Sequence, residues 1–190
     1  MNDVKQTMDR AELAAAIAEA SLLRGEFTLR SGRTSSYYLD KYRFSTRPEI
    51  LERLGRLFAL RIDAVSREVE GGVNRLAGAE LGGIPLVSAA SLAAGLPCVF
   101  IRNQKKGYGT AQQLEGVLEP GDRVVLLEDV ATTGGQVLEA AKVLEAAGAT
   151  VVQIIATIDR QEGARENVEG EGYAFDALFT TADLGVEPGA

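Results

Sequence analysis

The chain has 190 residues, of which 46% are hydrophobic and 25% are charged, and these values are typical of a folded globular protein. At ~100–200 residues per domain, this length predicts one domain over 1–190. The sequence has 0 histidines and 1 cysteine, which excludes histidine-dependent triads, histidine-ligated zinc and an internal disulfide. Any metal must therefore take oxygen ligands. The net charge of -7 argues against a nucleic-acid partner, which needs a basic face.

The first 45 residues do not follow the pattern of the rest of the chain. Asp9 and Glu12 form a capping box that opens a helix, and Gly25 is placed to end it. Two short extended stretches then flank a Ser-Gly-Arg turn, which predicts a hairpin. We expect this part, about 1–45, to form a hood. Its predicted elements are a helix over 9–23 and extended segments over 26–30 and 36–42.

From residue 46 onward, helices alternate with strands that are almost continuously apolar. This pattern predicts an α/β fold with a central parallel sheet flanked by helices on both faces. The predicted helices are 48–70, 84–94 and 136–147, and the predicted strands are 73–77, 97–101, a short one near Leu114, 123–127, 151–158 and 174–180.

No membrane span or secretory signal is expected. The stretch from Ile84 to Ile101 has no charged residue, but Pro85, Gly95 and Pro97 interrupt it, so we expect a helix, a turn and a strand there. The N-terminal segment is charged and lacks the pattern of a signal peptide. These features favour a soluble, cytoplasmic protein.

One segment carries the clearest chemical signal. An apolar strand runs into Glu128-Asp129, and a loop of threonines and glycines then leads into a helix. Glycines let a backbone approach a ligand closely, and the amides at a helix start bind anions. We therefore expect a phosphate in the loop, with the two acids facing sugar hydroxyls or magnesium. A Gly-rich turn with solvated acids is the plainer alternative. Neither a P-loop nor a Gly-x-Gly-x-x-Gly pattern is present, which disfavours common nucleotide sites.

This segment resembles the phosphoribosyl-pyrophosphate (PRPP) motif of the type I phosphoribosyltransferases, in which an apolar strand, two acids and Thr-Thr-Gly-Gly follow one another. Other segments are similar, in the same order, to orotate phosphoribosyltransferases. The resemblance runs from about residue 13 to about 181. The additional matching segments are 25–32 with Ser36-Tyr37-Tyr38, 82–85, 102–109 and 158–162.

The resemblance implies the type I phosphoribosyltransferase fold, with a hood over about 1–45, a core over about 46–182 and a flexible catalytic loop. It also implies a reaction. The phosphoribosyl group of PRPP is transferred to orotate, which gives orotidine 5'-monophosphate and pyrophosphate in UMP biosynthesis. Magnesium is the implied cofactor, and a homodimer is the implied assembly.

The same resemblance implies roles for the residues of the motif. Glu128 and Asp129 hold the ribose hydroxyls, and Asp129 counts among the catalytic residues. The loop behind them cradles the 5'-phosphate. No protein ligand for magnesium is assigned with certainty; the ion is held mainly through PRPP, with Asp129 as the candidate neighbour. The other implied PRPP contacts here are Val130, Ala131, Thr132, Thr133, Gly134, Gly135 and Gln136.

Orotate lies, by this resemblance, between the hood and Arg160. The planar guanidinium of Arg160 can pair with the orotate carboxylate. Backbone groups at Tyr38 and Leu39 can read the edge of the pyrimidine. Arg30 and Thr132 complete the implied orotate contacts.

The basic segment from Arg102 to Thr110 resembles the mobile catalytic loop of the family, which reaches into the neighbouring subunit's site. Arg102 and Lys106 are the implied catalytic residues of this loop. The implied PRPP contacts are Arg102, Lys105, Lys106 and Tyr108. Many members have lysine where this chain has Asn103, and part of the family has lysine at Gly82. These departures bear on PRPP affinity and rate rather than on the reaction.

Plainer or different interpretations remain open. Arg160 can pair with Glu162, and Tyr37 and Tyr38 can be packing residues. A transferase for a purine base is disfavoured by the hood and by Arg160, because purines carry no carboxylate. A PRPP-sensing or RNA-binding regulator without catalysis is disfavoured by the acidic charge. A nucleotide-binding module without chemistry is disfavoured by the length of the resemblance.

Overall fold

The computed structural model describes residues 10–28, 34–103 and 113–186. The hairpin turn, most of the basic loop and the C-terminal tail lie outside these ranges. The same holds for four residues to which the resemblance gives roles, namely Arg30, Lys105, Lys106 and Tyr108.

The N-terminal part contains the hairpin that the sequence predicts. Its elements are α1 (Arg10–Ser21), β1 (Leu22–Thr28), β2 (Thr34–Leu39) and α2 (Lys41–Ser45). Strands β1 and β2 pair antiparallel. The predicted extension of the second strand to Tyr42 is wrong, since a short helix begins at Lys41. This helix turns Phe44 into the core, where its side chain is fully buried.

The rest of the described chain alternates helices and strands around one sheet. Its strand order is β5-β4-β3-β6-β7-β8. The neighbours from β4 through β8 in that order pair in parallel, whereas β5 pairs antiparallel to β4. The elements are α3 (Pro48–Glu68), β3 (Arg75–Ala79), α4 (Gly83–Ala94), β4 (Cys98–Ile101), β5 (Leu114–Glu115), β6 (Arg123–Ala131), α5 (Gly135–Ala146), β7 (Thr150–Asp159), α6 (Ala164–Gly170), β8 (Phe175–Thr180) and a 3-10 helix (Ala182–Leu184).

Helices cover both faces of this sheet, as the apolar strands predict. Alternate side chains of a strand point to opposite faces. In β6, Val125 and Leu127 join the apolar cluster that includes residues of α1, α3 and α4. Val124 and Leu126 join the cluster that includes residues of α5 and α6. All four side chains are fully buried, which explains why this strand has no polar alternation.

A close approach of strand and helix sets the position of α4. A Cβ atom on Gly78 of β3 would lie 2.6 Å from the carbonyl oxygen of Gly83. Only glycine at position 78 therefore lets the start of α4 pack this near the sheet. No helix in the described part of the chain is both long enough and apolar enough to cross a membrane.

Candidate active site

Of the predicted site residues that the structure describes, those of the core lie where the parallel strands end. The carboxyl ends of parallel strands meet at one edge of a sheet, and ligands of open α/β sheets bind there. Strands β3, β4, β6 and β7 end near Glu80, Arg102, Thr132 and Arg160, respectively. This edge therefore combines acids, a glycine-rich loop and two arginines.

The acidic pair lies inside β6 and not beyond its end. The sequence predicts that the strand stops at Leu127, but pairing with β7 continues to Ala131, opposite Asp159. Glu128 and Asp129 are consequently buried, with 6% and 1% exposed. The Asp129 amide donates to Glu128 Oε1 at 3.1 Å, and the Val130 amide donates to Asp129 Oδ1 at 2.6 Å. Glu128 Oε2 has no hydrogen-bond partner among the described residues.

Burial and the neighbouring charge of Asp129 raise the pKa of Glu128 well above its ordinary value of 4.5. Raising the pH above 4.5 is therefore expected to destabilise the ligand-free protein. The folded state holds the Glu128 proton to higher pH than the unfolded chain does, so the unfolded state binds fewer protons in this window. The free energy of unfolding then falls by at most about 1.4 kcal/mol per pH unit, until the pH passes the raised pKa.

The variant Glu128→Gln mimics the protonated carboxyl and is expected to lose this dependence. Urea unfolding of both proteins at several pH values above 4.5 makes the comparison. An identical pH slope in the two proteins would contradict the assignment to Glu128.

A lysine from the hood contacts the acidic pair. Lys41 is the first residue of α2, and its Nζ lies 2.9 Å from Asp129 Oδ2 and 3.2 Å from Oδ1. Burial opposes the charge of this ammonium, but the Asp129 carboxylate outweighs burial and raises the pKa of Lys41. The resemblance assigned no role to Lys41.

Gly82 lies against the same carboxylate. A Cβ atom at position 82 would lie 1.4 Å from Asp129 Oδ2 and 2.5 Å from Asp129 Cγ. The backbone of Gly82 is itself right-handed helical, so the obstacle to a side chain is contact with Asp129 and not the dihedral angles. A side chain at position 82 would therefore require the Asp129 carboxylate to move.

The loop after β6 has the geometry of an anion site. Gly134 precedes α5 with φ of +79°, and a Cβ atom there would lie 2.8 Å from Val168 Cγ2. Thr133 is exposed, and its carbonyl oxygen accepts a hydrogen bond from Asn167 Nδ2 at 2.9 Å. The first amides of α5 have no acceptor within the helix, and the helix dipole is positive there. The loop thus presents donors and positive potential to a ligand.

The beginning of the basic loop is attached to this anion site. Asn103 Oδ1 accepts from Gln136 Nε2 at 3.1 Å, and the Asn103 amide donates to Glu80 Oε1 at 2.7 Å. Arg102 Nη1 lies 3.8 Å from Glu115 Oε1 of β5. Asn103 therefore connects the ends of β3 and β4 to the start of α5, a contact that lysine at this position would not make in the same way.

Arg160 lies between the end of β7 and the hood. Its amide donates to the Ala131 carbonyl at 2.9 Å, and its Nη2 donates to the Tyr37 hydroxyl at 3.0 Å. Nη2 also lies 2.9 Å from Glu162 Oε1, so the plainer pairing with Glu162 is present as well. The Nε atom is buried and has no hydrogen-bond partner among the described residues. Arg160 thus joins the hood to the sheet edge, and its buried Nε donor is without a partner among the described residues.

The hood residues alternate in direction along β2. Tyr37 and Leu39 are buried, whereas Tyr38 is 47% exposed and its ring lies 5.8 Å from that of Phe27. The hood tyrosine that contacts Arg160 is therefore Tyr37. Tyr37 lies in a segment that matches the family, but the sequence leaves packing open for it and the resemblance gives it no site role. Lys41 and Tyr37 are the two site residues that sequence reasoning missed. The local sequence signal near Lys41 is Asp40, a residue type that often precedes a helix. This signal indicates the start of α2 but not a contact with the acidic pair.

The carboxylate oxygens of this site suit a magnesium ion that a substrate also binds. Magnesium prefers oxygen ligands and is bound through one or two carboxylates together with substrate phosphates. Asp129 and Glu128 offer oxygens of this kind, and Oε2 of Glu128 has no hydrogen-bond partner among the described residues. The described residues contain no group of three or more acidic, histidine or cysteine side chains that would enclose a metal.

Comparison with known proteins agrees with this geometry. A family model described as phosphoribosyl transferase domain matches residues 46–172. The orotate phosphoribosyltransferase of Natronomonas pharaonis is 43% identical over 178 residues, which cover 93% of this chain and 98% of that protein.

Two crystal structures of Mycobacterium tuberculosis H37Rv orotate phosphoribosyltransferase are also similar. The complex with Fe(III) dicitrate gives a TM-score of 0.81 at 32% identity, over 94% of this chain and 99% of the other. The complex with 5-phospho-alpha-D-ribosyl 1-diphosphate (PRPP) gives 0.77 at 31%, with the same coverage.

The fold and the site define a protein of the phosphoribosyltransferase class, with the type I architecture that the sequence predicts. Within that class, the chain belongs to the orotate phosphoribosyltransferase family.

Proposed function

We propose that this protein transfers the phosphoribosyl group of PRPP to orotate, which yields orotidine 5'-monophosphate and pyrophosphate for UMP synthesis. One observation carries the proposal above the others. A buried acidic pair lies at the sheet edge next to a glycine-containing loop that presents backbone amides. The chain around them is similar along nearly its full length to orotate phosphoribosyltransferases.

The proposed PRPP subsite divides between sugar and phosphate. Asp129 and Glu128 accept from the ribose hydroxyls, and the backbone amides and threonine hydroxyls of 130–136 donate to the 5'-phosphate. Magnesium fits beside Asp129 and the PRPP oxygens. When bound, it supplies positive charge that offsets the charge of the pyrophosphate.

The proposed orotate subsite lies between the hood and Arg160. The unpartnered Nε of Arg160 supports this role, because a donor at this position can pair with the orotate carboxylate. Tyr38, Leu39, Thr132 and Arg30 complete the proposed contacts. Glu162 pairs with Nη2 of the same guanidinium and so helps to set the orientation in which Arg160 presents Nε.

The proposed mechanism needs neither histidine nor a covalent intermediate. The bond from C1' to pyrophosphate breaks as the ribose becomes oxocarbenium-like. A bond from C1' to the orotate nitrogen forms, and the proton of that nitrogen leaves to the departing pyrophosphate or to solvent. The protein positions the two substrates and stabilises the charge on the departing pyrophosphate. Arg102, Lys105, Lys106 and Tyr108 are the proposed contacts on the pyrophosphate side. Closure of their loop excludes water, which prevents hydrolysis of PRPP.

The proposal extends to the assembly and its setting. The hood, about 1–45, and the core, about 46–182, act as one unit, and two copies form a homodimer in which each catalytic loop serves the partner's site. This part of the proposal is supported by the resemblance of the segment from Arg102 to Thr110 to the catalytic loop of the family. A cytoplasmic location suits a protein whose substrates are charged metabolites.

Loss of orotate absorbance with PRPP and magnesium tests the proposed activity, with purine bases assayed in parallel. We expect orotate consumption that requires both PRPP and magnesium, and no consumption of the purines. Turnover of a purine instead would contradict the assignment of orotate. PRPP binding without turnover of any base would contradict catalysis and favour a regulator.

A further inference from the structure

We infer that Lys41 is a positioning residue that holds the Asp129 carboxylate in place at the ribose subsite, so that the hood takes part in PRPP binding. This inference rests on the proposed function. It adds to that function a residue outside the acidic motif, the glycine-rich loop and the catalytic loop.

The contact itself is specific. The Lys41 ammonium donates a hydrogen bond to Asp129 Oδ1 at 3.2 Å, 88 positions further along the chain. It also lies 2.9 Å from Oδ2 as an ion pair, although Oδ2 accepts no hydrogen bond from the described residues. Asp129 is 1% exposed, so water does not replace this partner in the folded protein. Within the described part of the chain, no other lysine or arginine forms an ion pair with Asp129 or Glu128. Hydrogen bonds to charged groups are among the strong ones that proteins make.

Residue 82, at the start of α4, cannot supply a cationic side chain to Asp129 in its present position. Gly82 approaches Oδ2 so closely that even a Cβ atom would overlap it. A lysine side chain at position 82 would therefore displace the carboxylate from its present position. Lys41 reaches the same carboxylate from α2, where its side chain is 33% exposed. The hood thus supplies the positive charge of Lys41, whereas a cationic side chain at Gly82 would overlap Asp129.

The pair also limits the freedom of Asp129. One oxygen accepts from the Val130 amide, and both oxygens face the Lys41 ammonium. Without the ammonium, Asp129 would lie next to the carboxyl group of Glu128 with no cation among the described residues to offset the negative charge. Repulsion between the adjacent carboxylates would then favour other orientations of the Asp129 side chain. Such a change would move an acceptor away from the ribose hydroxyls.

The test compares PRPP binding to Lys41→Met and to the wild-type protein by calorimetry with magnesium present. We expect affinity for PRPP to fall by about 10–100-fold, because a charge-assisted contact is lost at the site. Steady-state assays should show a larger rise in the KM for PRPP than in the KM for orotate. Lys41→Arg should recover much of the affinity. Unchanged PRPP affinity in Lys41→Met would overturn the inference.

A double-mutant cycle separates positioning of Asp129 from a structural role of Lys41. If Lys41 acts through Asp129, then Lys41→Met should weaken PRPP binding much less in the Asp129→Asn background than in the wild type. Additive effects of the two substitutions would contradict the inference. The matched control is Arg43→Met on the same short helix, since Arg43 pairs with Asp40 and not with the acids.

Thermal unfolding of each variant identifies any general loss of structure. If Lys41→Met does not fold, Lys41→Gln takes its place, because it keeps a hydrogen-bond donor without the charge. The same loss of PRPP affinity is then expected for Lys41→Gln. Titration of the wild-type protein with PRPP tests the proposed function separately from the role of Lys41. Absence of PRPP binding by the wild type would contradict the proposed function, whereas wild-type binding with an unaffected Lys41 variant would contradict only the role of Lys41.

Discussion

Replacing Lys106 with alanine is expected to lower kcat by about 10²–10³-fold, with little change in the KM for orotate. In the proposed mechanism, this ammonium meets negative charge that builds on the pyrophosphate as its bond to C1' breaks. Such a contact strengthens in the transition state, so its loss affects turnover more than ground-state binding. Steady-state kinetics with each substrate varied in turn measure the effect.

The matched control for this variant is Lys142→Ala. Lys142 lies on the exposed face of α5, where its Nζ is 3.0 Å from Glu171 Oε2, and it has no part in the proposed site. Near-normal turnover in Lys106→Ala would remove the residue from the catalytic set. A loss that Lys142→Ala shares would indicate a general effect of removing surface charge.

The variant Asp129→Asn is expected to weaken PRPP binding by about 10–100-fold. The amide keeps the shape of the side chain but loses one acceptor oxygen, and it no longer forms an ion pair with Lys41. Calorimetric titration of PRPP with magnesium present measures the change. Because Asp129 is almost fully buried, thermal unfolding of the variant accompanies the titration.

Asp176→Asn controls for the loss of a carboxylate elsewhere. Asp176 lies on β8, 38% exposed, with Arg61 Nε at 3.8 Å. Its replacement should leave the PRPP titration as in the wild type. A titration of Asp129→Asn that matches the wild type would count against the ribose role of this residue.

The sequence predicts the order of the elements at the centre of this candidate site, because its signals are local. An apolar strand, two acids, a glycine-rich loop and an amphipathic helix follow one another without interruption, and the structure keeps that order from β6 to α5. The end of β6 was misplaced because the acids look like strand-terminating residues. Pairing with β7 carries them into the sheet, and a partner strand is not visible in a local pattern.

The hood contributions escape prediction for a related reason. Helix α2 has five residues, too few to show a helical period, and its role depends on a contact with a residue far away in the chain. Helix α6 is also short and was missed. The direction of β5 depends on a two-residue pairing with β4. In each case tertiary contacts decide the structure more than local preference does.

The boundary between the hood and the core has an evolutionary consequence. The shared transferase domain begins at residue 46, immediately after α2, so Tyr37 and Lys41 both lie in the segment that precedes it. In the proposed division of labour, the loop after β6 holds the phosphate and the hood holds the base. Exchange of the preceding segment would then change the base while the proposed phosphate contacts stay in place. The same exchange would also have to provide a partner for Asp129, which limits the replacement segments that would work.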